Sequence, residues 1–365
     1  MKTNRHIDNL LGQLFRAAKA TLRGIWGLLL AFSLSCSTDD IPPIDDYGDY
    51  GYVIASLHLP QTRNVLAANN GDRTLHTIRI FVFSGENLEK QRLFCRIEDA
   101  NYWNNPFQLR VTVGTKNVLV VANETPDMAL EFKEIQTING LYGVMADELQ
   151  GRLFVFNESK GLPMTGRTDD VEVKPDPTGG LTIVTLTKMV ARLDITITDG
   201  SEYGFKIEHI RLINNKSSSL LWDRSDDAFL AATEDDFFDI NFNVDGTGAS
   251  TDIAVNRVGD SWVFPPLYLY ENLHGEKNRL KATKLEIKAI LSFGNDDFPV
   301  IYDVLINDIS SPEESRFLIQ RGHRYTLRGT IWGTDYTHIA VKMSVEPWQE
   351  GNSTPQRPLP PLPPQ

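Results

Sequence analysis

The chain has 365 residues, 41% hydrophobic, 10% aromatic and 23% charged, a composition that excludes global disorder, a collagen-like fibre and a polytopic membrane protein. Its 36 Lys and Arg stand against 48 Asp and Glu, a net charge of −12 with no basic stripe, which argues against nucleic acid as a partner. Two cysteines, Cys36 and Cys95, are too few for a disulfide scaffold or a four-cysteine zinc site, and the length predicts two domains of about 150 residues each.

Residues 1–35 read as an export signal. Lys2, Arg5, Arg16, Lys19 and Arg23 give a positive leading region, and the stretch from Ile25 to Ser35 is apolar and uncharged. That stretch is shorter than the ~20 residues a helix needs to span a bilayer, but it has the length of a signal-peptide core. Cys36 follows Ser35 directly. The arrangement resembles a bacterial lipoprotein signal, cleaved after Ser35 with Cys36 lipidated. An ordinary secretory signal with an incidental cysteine is the other reading. The acidic Ser37-Thr-Asp-Asp40 resembles the surface-export signals of Bacteroidetes lipoproteins. Residues 36–51, rich in Pro, Gly and Asp, read as a tether.

Strand signals then succeed one another. Tyr52–Leu59 alternates, Thr77–Phe83 is β-branched and aromatic, and Ser84–Asn87 reads as its turn. Arg92–Ile97 also alternates, so Cys95 reads as a small core residue with a free side chain. Leu109–Val113 and Lys116–Ala122 flank Gly114-Thr115, which predicts a two-residue hairpin. Asp127–Glu148 carries the helical pattern of the first half, broken near Asn139-Gly140. Further strands are predicted over Leu181–Leu186, Met189–Ile197, Phe205–Ile213, Trp262–Phe264, Lys284–Ile290, Pro299–Ile306, Arg324–Arg328 and Ile339–Val345. Many short alternating strands separated by turn residues indicate an all-β fold of sandwiches with few short helices. We place two tandem sandwich domains at 52–195 and 196–350, followed by a proline-rich tail at 351–365. The tail reads as an extended polyproline II arm; its Arg357–Pro363 segment fits a PxxP ligand pattern or a plain stiff spacer.

The search for chemistry returns little. No zinc-protease, nucleophile-elbow, dinucleotide or P-loop motif occurs. His58, His76, His209, His274, His323 and His338 are scattered singly, so neither a metal nor a cofactor is expected. Asp235-Asp236 and Asp296-Asp297 are paired carboxylates of the kind that hydrolyse glycosides, yet adjacent acids in turns are more often solvated. Asn243–Asp252 has oxygen side chains and glycines suited to Ca²⁺, without an EF-hand pattern. Trp103, Trp222, Trp262 and Trp332 offer stacking faces for sugars or fill cores. No catalytic residue is assigned, and an enzyme is not expected.

Several segments in order resemble the fimbrillin-like proteins of Bacteroidales, which build type V pili. These are Cys36 with its acidic follow-on, Ile78–Phe83 before a Gly-Glu-Asn turn, Val118–Asn123, Leu162–Gly166, Met189–Asp194 and Val341–Trp348. The resemblance implies transthyretin-like β-sandwich domains, export as a lipoprotein to the outer membrane and cell surface, and a place in a fimbrium that supports adhesion. It implies other fimbrial subunits as partners through strand exchange, the outer membrane as a partner through lipid, and a receptor on host or bacterial surfaces.

In shaft subunits of that family, an Arg-specific protease cuts behind the first strand, and a segment of the next subunit fills the groove. Here Val53–Leu59 matches that strand and Pro60–Arg63 the cleavable loop. Arg63 is then a processing site or an ordinary loop arginine. Val341–Val345 either ends the last strand or donates. The proline-rich end and acidic tether favour an accessory subunit, base anchor or tip, over a shaft subunit. A surface glycan-binding lipoprotein is the alternative.

Overall fold

The computed structural model describes residues 50–58, 74–96, 105–146, 161–175, 180–201, 204–222, 237–244, 249, 252–274, 276–308, 316–331 and 339–347. In chain order the first strands are β1 (Tyr50–His58), β2 (Thr77–Ser84), β3 (Asn87–Cys95), β4 (Phe107–Thr112) and β5 (Gly114–Ala122). Helices α1 (Pro126–Glu131) and α2 (Ile138–Tyr142) follow. Then come β6 (Met145–Ala146), β7 (Met164–Val173), β8 (Gly180–Thr185), β9 (Thr187–Lys188), β10 (Val190–Asp199), β11 (Gly204–Lys216) and β12 (Ser219–Leu220). The rest are β13 (Phe237–Asn243), β14 (Ile253–Ala254), β15 (Asn256–Val258), β16 (Ser261–Val263), β17 (Leu267–Tyr270), β18 (Lys284–Phe293), β19 (Asp296–Leu305), β20 (His323–Ile331) and β21 (Ile339–Pro347). The all-β expectation holds.

The buried hydrophobics form two clusters. The first lies between a three-stranded sheet, β4-β1-β8, and a five-stranded sheet, β3-β2-β5-β7-β9. Val53, Ala55 and Leu57 of β1 and Phe107, Leu109 and Val111 of β4 point inward against Ile80, Val82, Val118 and Val120. The second lies between β15-β16-β10-β20-β21, with β17 also on β10, and β14-β13-β11-β18-β19. Along β10 the change of cluster falls between Val190 and Ala191, while Leu221, Trp222, Tyr268 and Tyr270 from later in the chain return to the first cluster.

Local chemistry explains most elements. Phe81, Val82 and Phe83 are all fully buried because β2 is covered on both faces, the outer one by the helical segment, where Phe132 meets Phe81 edge-on at 5.2 Å. Thr125 caps α1 by accepting the Met128 N–H, and Thr137 caps α2 by accepting the Gly140 N–H. The expected helix is therefore two short ones, and its break falls before Thr137 while Asn139-Gly140 lies inside α2.

Gly114-Thr115 is not a hairpin turn. β4 pairs with β1, whereas β5 pairs with β2 and β7, so the chain crosses between sheets here. Gly114 takes φ +113°, a left-handed value suited to glycine that permits the crossing. Cys95 ends β3 and is disulfide-bonded, which corrects the expectation of a free side chain there. Cys36 lies outside the described residues.

A buried polar network lies where the clusters meet. Arg321 ion-pairs with Glu271 and donates to the carbonyls of Leu220 and Leu221, both at 2.8 Å. The Leu221 carbonyl also accepts the Thr165 hydroxyl of β7 at 2.9 Å. Thus β7 in the first half and Arg321 in the second share one acceptor.

Candidate strand-exchange site

β1 is the middle strand of its sheet. It runs antiparallel to β4, from Tyr50↔Thr112 to Ala55↔Phe107, and parallel to β8, from Val53↔Gly180 to His58↔Thr185. Its alternation settles the facing: Gly51, Val53, Ala55 and Leu57 are buried, while Tyr50, Tyr52, Ile54, Ser56 and His58 point outward. On the outer face the Arg110 guanidinium sits 4.6 Å from the Tyr50 ring centroid, and Ser56 and His58 side chains meet at 3.1 Å. The outer face also carries exposed Leu181 and Ile183 of β8.

The strand fits closely at its start. A Cβ at Gly51 would lie 2.2 Å from the Lys174 carbonyl oxygen, so no larger side chain enters without backbone movement. At its end, Leu57 gives both its backbone groups to Asn105: the Leu57 N–H donates to Oδ1 at 2.8 Å, and Nδ2 donates to the Leu57 carbonyl at 3.1 Å. The Leu186 N–H donates to the His58 carbonyl at 2.7 Å and extends the β8 side.

The flanking strands have anchors that do not involve β1. Lys116, 2% exposed, ion-pairs with Glu89 at 2.6 Å and donates to the Thr112 hydroxyl at 2.8 Å, while Glu89 accepts the Thr112 N–H. This fastens the end of β4 to β3 and β5. On the other side Thr168 of β7 donates its hydroxyl to the Ile183 carbonyl of β8 at 2.8 Å. Glycines at 166 and 180 allow close approach there, a Cβ on either falling within 2.6 Å of a carbonyl oxygen on the facing strand. Removing β1 would leave a slot two strand spacings wide, roughly 10 Å, floored by the first cluster.

Ser35, Cys36, Pro60–Arg63, Asp235, Asp236, Trp103, Trp332 and His338 lie outside the described residues. The expected first strand is β1, described as far as His58. Asp296 and Asp297 are exposed on β19, and Asp297 accepts the Ser292 hydroxyl across the turn, so this pair is a solvated turn. Trp222 and Trp262 are 7% and 1% exposed and fill the cores, which withdraws them as sugar-stacking faces. Of the Asn243–Asp252 loop, Asp252 accepts the Ala249 N–H at 2.8 Å. Among the described residues no group of three or more His, Cys, Asp or Glu side chains converges as a metal site. Val341–Val345 ends the last strand, β21, antiparallel to β20 at the edge of its sheet. The reasoning from sequence missed Asn105 and Lys116. An Asn before Pro reads as a turn, and a Lys just after a Gly-Thr pair reads as exposed.

Comparison with known proteins places this geometry. Residues 59–202 match the model of the major fimbrial subunit protein (FimA) family. The major fimbrium subunit FimC of Porphyromonas gingivalis is 24% identical over 336 residues, covering 89% of this chain and 69% of that protein. The tip fimbrial protein Mfa3 of P. gingivalis, solved with a C-terminal truncation, aligns with a TM-score of 0.53 at 15% identity, covering 82% of this chain and 100% of that one. A fimbrilin (FimA) from P. gingivalis W83 aligns with a TM-score of 0.52 at 14% identity, covering 81% and 97%. At such identities the structures speak for the fold alone. Residues 59–202 thus match the FimA major fimbrial subunit family model, and the chain as a whole is similar to these fimbrial proteins.

Proposed function

We propose that this chain is a structural subunit of a cell-surface fimbrium, a base anchor or tip, assembling by β-strand exchange, with β1 as the strand given up where the chain is cut after it. The observation that carries the reading is β1 itself. It is a core-filling middle strand whose partners on both sides are tied down independently, and it ends just before Pro60–Arg63. Main-chain hydrogen bonds along both slot edges, with alternate side chains entering the floor, are the ingredients of β-augmentation. An emptied slot is an aggregation hazard until another strand fills it, which drives assembly.

The reading includes two sandwich domains meeting near residue 195, a signal cleaved after Ser35, a lipid on Cys36, and processing at Arg63. A retained lipid would hold the subunit at the outer membrane as a base anchor; a cut after Arg63 would release lipid and strand together. Partners are other subunits of the fimbrium and, through adhesion, a surface receptor. The role is structural, and the glycan-binding alternative has lost Trp222 and Trp262 as its motive.

Mass and N-terminal analysis of the protein from native membranes tests this. An acylated start at Cys36 with no internal cut supports the anchor. A start at Asn64 supports a polymerising subunit. A soluble protein that begins earlier and carries an unmodified Cys36 refutes both. The chain has two cysteines, so a disulfide of Cys95 within the chain takes Cys36 and excludes a lipid there; an acylated Cys36 in the same spectrum overturns that disulfide, and a Cys36 bonded to Cys95 overturns the lipid.

A further inference from the structure

The ladder between β1 and β4 stops at Ala55↔Phe107, although β1 continues to His58. The next hydrogen-bonded pair in this register would be Leu57 with residue 105, since the paired numbers sum to 162. The backbone ladder does not reach that pair: it ends at Phe107, and residue 106 is a proline. The Asn105 side chain takes the place of the missing strand. A primary amide has one carbonyl acceptor and an N–H donor, as a peptide unit has, and Asn105 presents both to the backbone of Leu57 at 2.8 and 3.1 Å.

We propose that Asn105 is a latch for whichever strand occupies the slot: β1 before exchange, the incoming strand afterwards. Both of its bonds are to main-chain atoms, so it holds an occupant without reading its side chains. It acts at the end of the strand nearest Pro60–Arg63, where fraying would begin. This inference rests on the strand-exchange reading and adds to it a residue that sets how long a strand stays.

The test uses the full chain, nicked in the 60–63 loop with an Arg-specific protease. A fluorescent peptide of residues 50–58 is exchanged against the resident strand, and its departure is followed by anisotropy. A second peptide carries an ester oxygen in place of the Leu57 N–H. In the wild type the ester peptide leaves about ten-fold faster, as expected for one net hydrogen bond. In Asn105→Leu the ordinary peptide leaves about ten-fold or more faster, and the ester effect falls below about two-fold. A peptide with Ala at the Leu57 position keeps the ester effect in the wild type.

An Asn105→Leu protein with wild-type exchange and an undiminished ester effect overturns the latch while leaving strand exchange standing. Wild-type protein that admits no peptide at all overturns the exchange reading, and the latch with it. Hydrogen exchange separates a folding defect from a lost latch. Asn105→Leu should lose protection at the Leu57 amide and keep it at Ile80 and Val120. Protection at Leu57 equal to wild type also overturns the latch.

Discussion

Leu57→Ala measures what β1 contributes to the first core. Leu57 is fully buried, and its neighbours in the inward row, Val53 and Ala55, are equally so. The substitution removes three carbons, worth about 2.4 kcal/mol at ~0.8 kcal/mol per buried methylene. The wall around the hole is strand backbone fixed by ladders on both sides, so it relaxes little, and the residual cavity raises the loss to about 3–4 kcal/mol. Ser56→Ala is the matched control on the outer face and should fall within about 0.5 kcal/mol of wild type. Urea unfolding read by circular dichroism gives both numbers, provided the slope m is unchanged. Hydrogen exchange at the β1 amides locates the loss. Equal stability of the two variants would refute the reasoning. A one-residue slip turns every inward side chain of a strand outward, so β1 would then not be a core strand, and the slot would have no apolar floor to expose.

Three further outcomes follow from other contacts. Gly51→Val forces a Cβ against the Lys174 carbonyl and the Val173 side chain, and should lower stability by about 1–3 kcal/mol by thermal melting; an unchanged midpoint would mean that β1 is not seated there. Arg321→Met strands Glu271, 3% exposed in its side chain, and should cost about 3–5 kcal/mol, much of it recovered by adding Glu271→Leu in a double-mutant cycle. The Arg211 guanidinium, bonded to Glu286 at 2.7 Å, holds the Glu286 carboxyl below its ordinary value of 4.5. A carboxyl depressed in the folded state adds stability that is complete above the unfolded value and lost as pH falls through the folded one. Acid titration of Arg211→Leu should therefore show a shallower stability loss below about pH 4.5 than wild type, and superimposable curves would contradict this.

The sequence carried the strands whose two faces differ in polarity. β1, β2, β10, β11 and β20 alternate or run apolar in the primary structure, and each is found within a few residues of its expected span. β7 was not legible as a strand. Its middle, Arg167-Thr-Asp-Asp170, is polar, and Asp170 takes φ +56° where the ladder with β5 shifts register between Lys116 and Val118. β13 had a signal, the alternation of Phe238, Ile240 and Phe242, masked by the acidic residues before it. Gly114-Thr115 failed for a different reason. Two strands and a two-residue link specify a hairpin only if the strands share a sheet, and local sequence does not say so. Asn105 was illegible on the same principle, because its partner lies 48 residues away. Lys116 looked solvent-facing until Glu89, Thr112 and Ser84 closed round its ammonium group.

On the strand-exchange proposal, the slot itself restricts what strand can succeed β1. An occupant must run antiparallel to β4 and parallel to β8, and must offer inward positions in the order Gly51, Val53, Ala55, Leu57. Two of those four positions are small, and at the first of them even a methyl group collides with the Lys174 carbonyl. β21, the last strand among the described residues, does not offer that pattern. One row of β21 is Ile339, Val341, Met343 and Val345, with no small member; the other, Ala340, Lys342, Ser344 and Glu346, puts charges toward an apolar floor. A strand with Ile or Val at the Gly51 position either shifts along the slot or displaces the end of β7, losing ladder bonds in both cases. Alternating small and large residues, rather than hydrophobicity alone, is therefore the feature that distinguishes a donor for this slot. β21 instead pairs with β20, where the register runs unbroken from His323↔Pro347 to Ile331↔Ile339.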